Sequence, residues 1–139
     1  MDIRPFQAAD GEALVRLWQA CGLVRPWNDA KMDIQRKLAV DPELLLVGEI
    51  DGHIVASVMG GYEGHRGWIN YLAVLPSQQA HGYGREMVAA IEERLLAAGC
   101  PKVNLQIRDS NLDAMRFYEA IGYSRDPVIS YGKRLIVDE

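Results

Sequence analysis

The segment from residue 79 to residue 84 has the residue types that suit a phosphate group. It reads Gln79-Ala80-His81-Gly82-Tyr83-Gly84 and joins a predicted strand to a predicted helix. Such a loop offers unpaired backbone N–H groups and the positive end of a helix dipole to an anion. Its glycines let the backbone approach a phosphate with no Cβ between them. The segment therefore predicts an anion site, with a plain strand-to-helix turn as the alternative.

The elements on both sides of this loop can be predicted from apolar spacing. The strand before it runs from Trp68 to Leu75 and is closed by Pro76. The helix after it ends at Gly99, and its apolar positions recur every three or four residues. These positions are Met87, Val88, Ile91, Leu95 and Ala98.

The first half of the chain predicts a short strand, two helices and a hairpin. One helix starts near Asp10 and stops at Gly22, and a second is capped by Asn28 or Asp29 and runs to Val40. Two apolar runs then flank Asp51-Gly52, a dipeptide typical of tight hairpins. With the strand before the loop, the hairpin forms a three-stranded meander.

The last third of the chain predicts a strand, a helix and a closing strand. Residues 103–107 alternate as a strand, and the helix that ends at Gly122 carries Phe117 and Tyr118 on its apolar face. Val128 to Val137 predicts a final strand or hairpin. Strands and helices in this order indicate an α+β or mixed α/β class with one central sheet.

The composition is that of one globular domain over residues 1–139, with 49% hydrophobic and 24% charged residues. The net charge of −4 argues against a nucleic-acid partner. Cys21 and Cys100 are far apart and have no metal-ligand spacing, which predicts no metal site and a reducing, cytoplasmic location. No apolar run approaches the ~18 residues of a membrane span, and no export signal is apparent.

Two stretches of the chain resemble the two signatures of the GNAT family of N-acetyltransferases. Gln79 to Arg85 is similar to Gln/Arg-x-x-Gly-x-Gly/Ala, with Ala80 where the family often has glycine. Asn111 to Tyr123 is similar to Asn-x-x-Ala-x-x-Phe-Tyr-x-x-x-Gly-Phe/Tyr. The segment from Leu23 to Asp29 resembles small bacterial YpeA-like acetyltransferases. The resemblance implies a mostly antiparallel, twisted sheet of six to seven strands flanked by about four helices.

The resemblance further implies that the loop holds the pyrophosphate of acetyl-coenzyme A. The strand edge before it is expected to pair with the pantetheine arm as an added strand would. The implied donor-binding residues are Leu72, Ala73, Val74, Gln79, Ala80, His81, Gly82, Tyr83, Gly84, Arg85 and Asn111.

The resemblance implies catalytic roles for Tyr118 and for the Val74 N–H group. Asn111 and Tyr118 lie two helical turns apart, about 10 Å along the axis, and a phenol there can protonate a leaving thiolate. The alternatives are a helix cap for Asn111 and a packed core aromatic for Tyr118. The Val74 N–H group is expected to polarise the thioester carbonyl. Glu63 is the candidate base, with His65, Glu49 or water as alternatives.

The expected activity is transfer of an acetyl group from acetyl-CoA to a primary amine of a small molecule or peptide, by direct attack in a ternary complex. The acceptor and the use of other acyl groups stay open. The partners are the donor and the amine, without nucleic acid or membrane, and a homodimer through the final strands is open. The alternatives are a non-catalytic acyl-CoA binding or sensing module and a phosphate- or nucleotide-binding module.

Overall fold

The computed structural model describes residues 1–138, and within that range four α-helices accompany one sheet of five strands. The strands are β1 (Asp2–Pro5), β2 (Leu45–Ile50), β3 (His53–Tyr62), β4 (Gly67–Val74) and β5 (Val103–Leu105). The helices are α1 (Gly11–Ala20), α2 (Ala30–Leu38), α3 (Tyr83–Ala97) and α4 (Leu112–Ala120). This confirms the mixed α/β class.

The five strands lie in the order β1-β2-β3-β4-β5. The pairs β1–β2, β2–β3 and β3–β4 are antiparallel, and β5 pairs with β4 in parallel. The predicted hairpin at Asp51-Gly52 is confirmed. Both residues have positive φ, 50° and 80°, as the favoured two-residue hairpin turn requires.

A bulge interrupts the pairing of β3 with β4. Ser57 pairs with Ala73, but Met59 pairs with Asn70, so two residues of β4, Tyr71 and Leu72, lie opposite Val58. Tyr71 has a φ of 51°, a left-handed conformation that is rare for a residue with a side chain. Such bulges bend a strand and are common beside active sites.

The two faces of the sheet are covered by different helices. Met59 packs against the cluster formed by α1 and α2, whereas a Cβ on the next residue, Gly60, would lie 2.6 Å from Ile91 of α3. Since successive residues of a strand point to opposite faces, α3 covers the face opposite to α1 and α2. Gly60 is needed because α3 approaches the sheet backbone closely there.

An aspartate lies at the start of each of the first two helices, but only the second one caps its helix. Asp29 caps α2, its side chain accepting the backbone N–H groups of Lys31 and Met32 at 3.0 and 3.2 Å. Asp10, predicted as a cap of the first helix, lies at the start of α1 without a capping bond to it. Its carboxylate instead binds the Arg4 guanidinium at 2.7 Å and accepts the N–H of Gln7 at 2.8 Å.

The described chain forms two compact units, residues 1–105 with Asp138 and residues 106–137. The first unit contains the sheet and three helices, and the second contains α4. The predicted sheet of six to seven strands is wrong, because Val128 to Val137 forms no strand in the described chain. Apolar β-type residues form a strand only where a neighbouring backbone completes the hydrogen-bond ladder, and no strand pairs with this segment.

Candidate functional site

The predicted anion loop lies between β4 and α3, as the sequence indicates. A 3₁₀ turn at Pro76–Gln78 leads into it, and both Ala80 and Gly82 have positive φ, 67° and 80°. Gly82 directly precedes the first residue of α3 and has no side chain that could cap the helix. The N–H groups of the first turn, from Tyr83 to Arg85, therefore have no intrahelical partner. These amides and the helix dipole are of the kind that suits an anionic group.

Space is available at the point where an anion would approach. A Cβ built on Gly82 meets no atom of the described chain within 4 Å. Three polar or charged residues in and beside the loop are exposed: Gln79, His81 and Arg85. The His81 ring lies 5.6 Å from the ring of Tyr83.

The end of β4 contains Val74, whose backbone groups are predicted to face a ligand. The N–H of Leu75 donates to the carbonyl of Val55 at 2.8 Å, and Val74 pairs with Ala56. Because alternate residues of an antiparallel strand turn their backbone groups to opposite edges, the N–H and C=O groups of Val74 point away from β3. β5 pairs only with Gly67 to Ile69 in the described chain, so no strand covers that edge at Val74.

Two side chains converge on the Val74 carbonyl. The amide of Gln79 donates to it at 3.1 Å, and the thiol of Cys21 does so at 3.2 Å. Gln79 thus ties the anion loop to the end of β4. Burial raises the pKa of the Cys21 thiol, so this cysteine stays protonated and is a poor nucleophile.

The segment that follows α1 lines a pocket of about 310 Å³. Val24, Pro26 and Asn28 contribute from this segment, and the charged residues Asp29, Lys31 and Asp138 also line the pocket. Asp138 is held by Arg36 at 2.6 Å and by the N–H of Asp29 at 3.0 Å. Since Cys21 contacts Val74, this segment begins close to the end of β4.

A buried network that sequence reasoning missed supports the β4 bulge. The indole N–H of Trp18 donates to the hydroxyl of Ser57 at 2.9 Å, and that hydroxyl donates to the carbonyl of Tyr71 at 2.8 Å. The rings of Trp18 and Tyr71 are stacked, with centroids 3.8 Å apart. The Tyr71 hydroxyl donates to Asp33 of α2 at 2.6 Å. Burial and the Asp33 carboxylate raise the pKa of Tyr71.

The signal available in the sequence was Ser57, a polar residue inside an apolar predicted strand, together with Trp18 on the apolar face of the first predicted helix. Both polar groups must find partners once they are buried. The sequence contains no indication of which partners they are.

Glu63 lies in the connection between β3 and β4, at the opposite end of β4 from Val74. Its carboxylate accepts the backbone N–H groups of His65 at 3.1 Å and Arg66 at 2.5 Å. At 3.3 Å per residue, β4 separates this turn from Val74 by roughly 23 Å. In the structure, Glu63 is therefore a turn-forming residue.

The second unit contains the other two predicted residues, Asn111 and Tyr118. Asn111 caps α4, its side chain accepting the N–H of Ala114 at 3.0 Å, as one alternative predicted. Tyr118 is 9% exposed and packs edge-on against Phe117 and Tyr123, with centroids 5.1 and 5.5 Å away. Burial raises the pKa of Tyr118 to about 12. Its phenol is therefore protonated at neutral pH.

In the described part of the chain, no group of three or more His, Cys, Asp or Glu side chains is arranged to hold a metal ion. None of the helices described is both long enough and apolar enough to span a bilayer.

Comparison with known proteins adds a family and a set of relatives. The model of the acetyltransferase (GNAT) family matches residues 12–123. An acetyltransferase of Yersinia enterocolitica is 49% identical over 139 residues, covering 100% of this chain and 99% of the relative.

Solved structures share the fold. Ard1 from Thermoplasma volcanium is 26% identical with a TM-score of 0.76, over 88% of this chain and 82% of that one. The aminoglycoside acetyltransferase AAC(6')-Iy, in complex with a bisubstrate analogue containing CoA, is 20% identical with a TM-score of 0.75. That match covers 96% of this chain and 97% of the other.

Proposed function

Since this chain belongs to the GNAT acetyltransferase family, we propose that it transfers an acetyl group from acetyl-CoA to a primary amine of a small molecule or peptide. The observation that carries the proposal is the pair formed by the β4 edge at Val74, which no strand covers in the described chain, and the glycine loop that opens α3. The strand edge suits an extended amide-containing arm, and the loop suits a pyrophosphate. The Gln79–Val74 hydrogen bond joins these two features.

The residues proposed to bind acetyl-CoA lie in the loop and along this strand edge. The N–H groups from Ala80 to Arg85 bind the pyrophosphate, and the backbone from Leu72 to Val74 pairs with the pantetheine arm. His81 and Arg85 supply exposed side chains for the remaining phosphate charge. Asn111, which caps α4, is assigned to this set by the second signature.

Val74 and Tyr118 carry the chemistry in this proposal. The amine nitrogen attacks the thioester carbonyl carbon, and the N–H of Val74 donates to the oxygen on which negative charge develops. When the tetrahedral intermediate collapses, the C–S bond breaks and Tyr118 gives its proton to the leaving thiolate. The Tyr118 phenolate then regains a proton from water, which balances the proton that the amine loses. A pKa of about 12 keeps that proton in place until the thiolate forms. The high pKa of Cys21 supports direct attack in a ternary complex over an acetyl-cysteine intermediate.

The proton lost by the amine needs an acceptor. Glu63 is the candidate from the sequence, but its two turn bonds and the length of β4 favour water as the proton carrier. The substitution Glu63→Gln separates the two readings. A fall in kcat/KM at neutral pH, regained at higher pH, supports Glu63, and an unchanged profile supports water.

The pocket beside α1 is the proposed binding site for the amine that accepts the acetyl group. Val24, Pro26 and Asn28 line it, and its lining segment starts at the Cys21–Val74 contact. The charged residues of the lining are Asp29, Lys31 and Asp138. Since the Asp138 side chain is 4% exposed and paired with Arg36, the pocket has no surplus of negative charge, which favours an acceptor with one amine over a polyamine.

Residues 1–139 act as one acetyltransferase domain in this proposal, because the family match crosses from the first unit into the second. The free cysteines Cys21 and Cys100 support a reducing, cytoplasmic location. Nucleic acid is not among the proposed partners, since the net charge is −4.

The test is calorimetric titration of the purified protein with acetyl-CoA, with ATP as the control ligand, followed by a free-thiol assay against a panel of amines. Saturable acetyl-CoA binding with amine-dependent thiol release supports the transferase. Binding with no release across the panel favours the acyl-CoA sensing module. Binding of ATP in preference to acetyl-CoA would contradict the donor assignment.

A further inference from the structure

The face of the sheet that α1 and α2 cover is left open at one end of β4. Trp68 is 39% exposed, and Asn70 is exposed as well. Asn70 lies opposite Met59, which packs against the cluster formed by α1 and α2, and Trp68 lies opposite Gly61. Directly opposite residues share a face, as do residues two positions apart, so all four turn to this side of the sheet. We call Gly61, Trp68 and Asn70 the open patch.

Lys37 of α2 reaches the open patch. Its ammonium nitrogen lies 3.9 Å from the position of a Cβ built on Gly61, and it donates to the carbonyl of Gly60 at 2.5 Å. Lys37 is half-buried, and burial lowers its pKa although the Asp41 and Glu43 carboxylates act in the opposite direction. Ammonium groups that are removed from water are usually paired with a carboxylate. Among the residues that the structure describes, no carboxylate forms an ion pair with Lys37.

Two more hydrogen-bond donors lie on the open patch. The indole N–H of Trp68 and the carboxamide of Asn70 form no hydrogen bond within the described part of the chain. Opposite side chains of paired strands have Cβ atoms about 4.5–5.5 Å apart, and diagonal neighbours are about 7–8 Å apart. Trp68 is opposite Gly61 and Asn70 is diagonal to it, so both can reach a group placed above Gly61. Lys37 reaches the same place from α2.

The chemistry of these groups selects an anion. An ammonium and an indole N–H only donate hydrogen bonds, and a carboxamide can donate two. A carboxylate accepts bonds from all three groups and supplies the negative charge that Lys37 lacks. One half-buried positive charge matches one carboxylate, whereas a phosphate ester with nearly two negative charges would exceed it. The exposed ring of Trp68 suits a flat apolar group beside that carboxylate.

We propose that the open patch and Lys37 form a binding site for a carboxylate carried on a flat apolar group. This site is separate from the proposed centre of acetyl transfer, because Trp68 and Val74 are six residues apart on β4, roughly 20 Å at 3.3 Å per residue. Binding there does not depend on acetyl transfer, so either proposal can fail alone.

An NMR titration with phenylacetate tests the site, and phenylacetamide serves as a neutral probe of similar shape. The indole N–H signals of the three tryptophans are assigned with Trp68→Phe and Trp27→Phe. We expect phenylacetate to shift the Trp68 signal and to leave in place that of Trp18, which is buried and bonded to Ser57. Phenylacetamide is expected to bind at least about 10-fold more weakly, because it has no charge to pair with Lys37.

The substitution Lys37→Gln isolates the contribution of the charge. Its amide can still donate to the Gly60 carbonyl, but the affinity for phenylacetate should fall to that for phenylacetamide. Lys31→Gln removes the same charge from an exposed residue of the same helix and should leave the affinity unchanged.

The substitution Gly61→Val blocks the site without removing the charge. A Cβ at Gly61 meets only the end of the flexible Lys37 side chain, at an ordinary contact distance, so the fold should tolerate the change. We expect phenylacetate binding to be lost. Thermal unfolding of this variant checks that it is folded.

Steady-state kinetics separate two sources of the carboxylate, and this arm alone rests on the proposed acetyl transfer. If the carboxylate belongs to the amine acceptor, Lys37→Gln raises KM for carboxylate-bearing amines and not for neutral ones. If the carboxylate belongs to a separate molecule, both KM values stay unchanged while phenylacetate binding is lost. A protein without transferase activity would contradict the proposed function and leave the NMR result standing.

Three results would overturn the proposal. Equal affinity for phenylacetate and phenylacetamide, or binding that survives Lys37→Gln, would show that the charge does not select the ligand. Loss of binding in Lys31→Gln but not in Lys37→Gln would place the acid in the pocket beside α1. A Trp68 signal that does not move at millimolar phenylacetate would exclude the site.

Discussion

The hydroxyl of Tyr71 lies 2.6 Å from a carboxylate oxygen of Asp33, and this hydrogen bond ties α2 to a left-handed residue inside β4. The same tyrosine stacks on Trp18 of α1 and accepts the Ser57 hydroxyl through its carbonyl. Three elements therefore hold the bulge that precedes Val74 by three residues. A strained backbone conformation persists only where such surroundings determine it.

Loss of the Tyr71 hydroxyl is expected to lower the stability of the fold. In Tyr71→Phe, the half-buried Asp33 carboxylate keeps its bond to Arg36 but loses the donor at 2.6 Å. The free energy of unfolding should fall by about 1–3 kcal/mol, measured by urea denaturation. Tyr62→Phe removes a hydroxyl that bonds only exposed carbonyls at 3.2 and 3.3 Å, and its stability should change little. Equal losses in the two variants would assign no special role to the Tyr71–Asp33 bond.

Tyr118→Phe is expected to lower kcat by roughly 10²- to 10⁴-fold while leaving acetyl-CoA affinity nearly unchanged. The reason is that the phenylalanine keeps the packing against Phe117 and Tyr123 but has no proton for the thiolate. Steady-state kinetics and calorimetry measure the two quantities. Tyr123→Phe removes a hydroxyl from the same aromatic cluster and should retain activity. Unchanged turnover in Tyr118→Phe would remove this residue from the mechanism.

The substitution Gly82→Asp is expected to abolish acetyl-CoA binding. It places a carboxylate at the start of α3, against the phosphate site, at a position where φ is 80°. Gly99→Asp is the matched control for backbone strain, because Gly99 also has positive φ, 92°, with open space around it, but lies at the other end of α3. Calorimetry should show binding in the control alone. Normal acetyl-CoA affinity in Gly82→Asp would refute the loop assignment.

Asp10 is expected to make the fold sensitive to acid. Hydrogen bonds from the Arg4 guanidinium lower the pKa of the Asp10 carboxyl below its usual value near 3.8. The unfolded chain therefore takes up a proton before the folded one does, so this stabilisation is present above pH ~4 and is lost as the pH falls further. Thermal unfolding between pH 3 and 6 should show a smaller acid loss in Asp10→Asn. The exposed Glu12→Gln should behave like the wild type, and a wild-type slope in Asp10→Asn would contradict the assignment.

Tyr118 is expected to make the stability of the fold depend on pH in alkaline solution. Its pKa is about 12 in the folded protein because of burial, whereas an unfolded tyrosine ionises near pH 10. The stabilisation from the buried neutral phenol is therefore complete below pH 10 and declines as the pH rises towards 12. Urea midpoints from pH 8 to 11 should fall less steeply in Tyr118→Phe than in the wild type. The same pKa predicts that ionisation of Tyr118 does not reduce kcat below pH 10.

Features that depend on residues close together along the chain could be predicted from the sequence. The hairpin at Asp51-Gly52, the Asp29 cap of α2 and the Asn111 cap of α4 each depend on residues within three or four positions of one another. The loop from Gln79 to Gly84 is of the same kind, because its glycine pattern and the following apolar periodicity lie in one continuous stretch. Interactions of this range are decided by the chain's own propensities, so a pattern predicts them.

The features that surround Val74 were decided by tertiary structure. The Trp18–Ser57 and Asp33–Tyr71 bonds join residues 39 and 38 positions apart, and they surround the left-handed Tyr71. The sequence also predicted a last strand at Val128 to Val137, which the described chain does not form. A strand requires a second backbone as well as suitable side chains, and the side chains of one segment do not specify where that backbone lies.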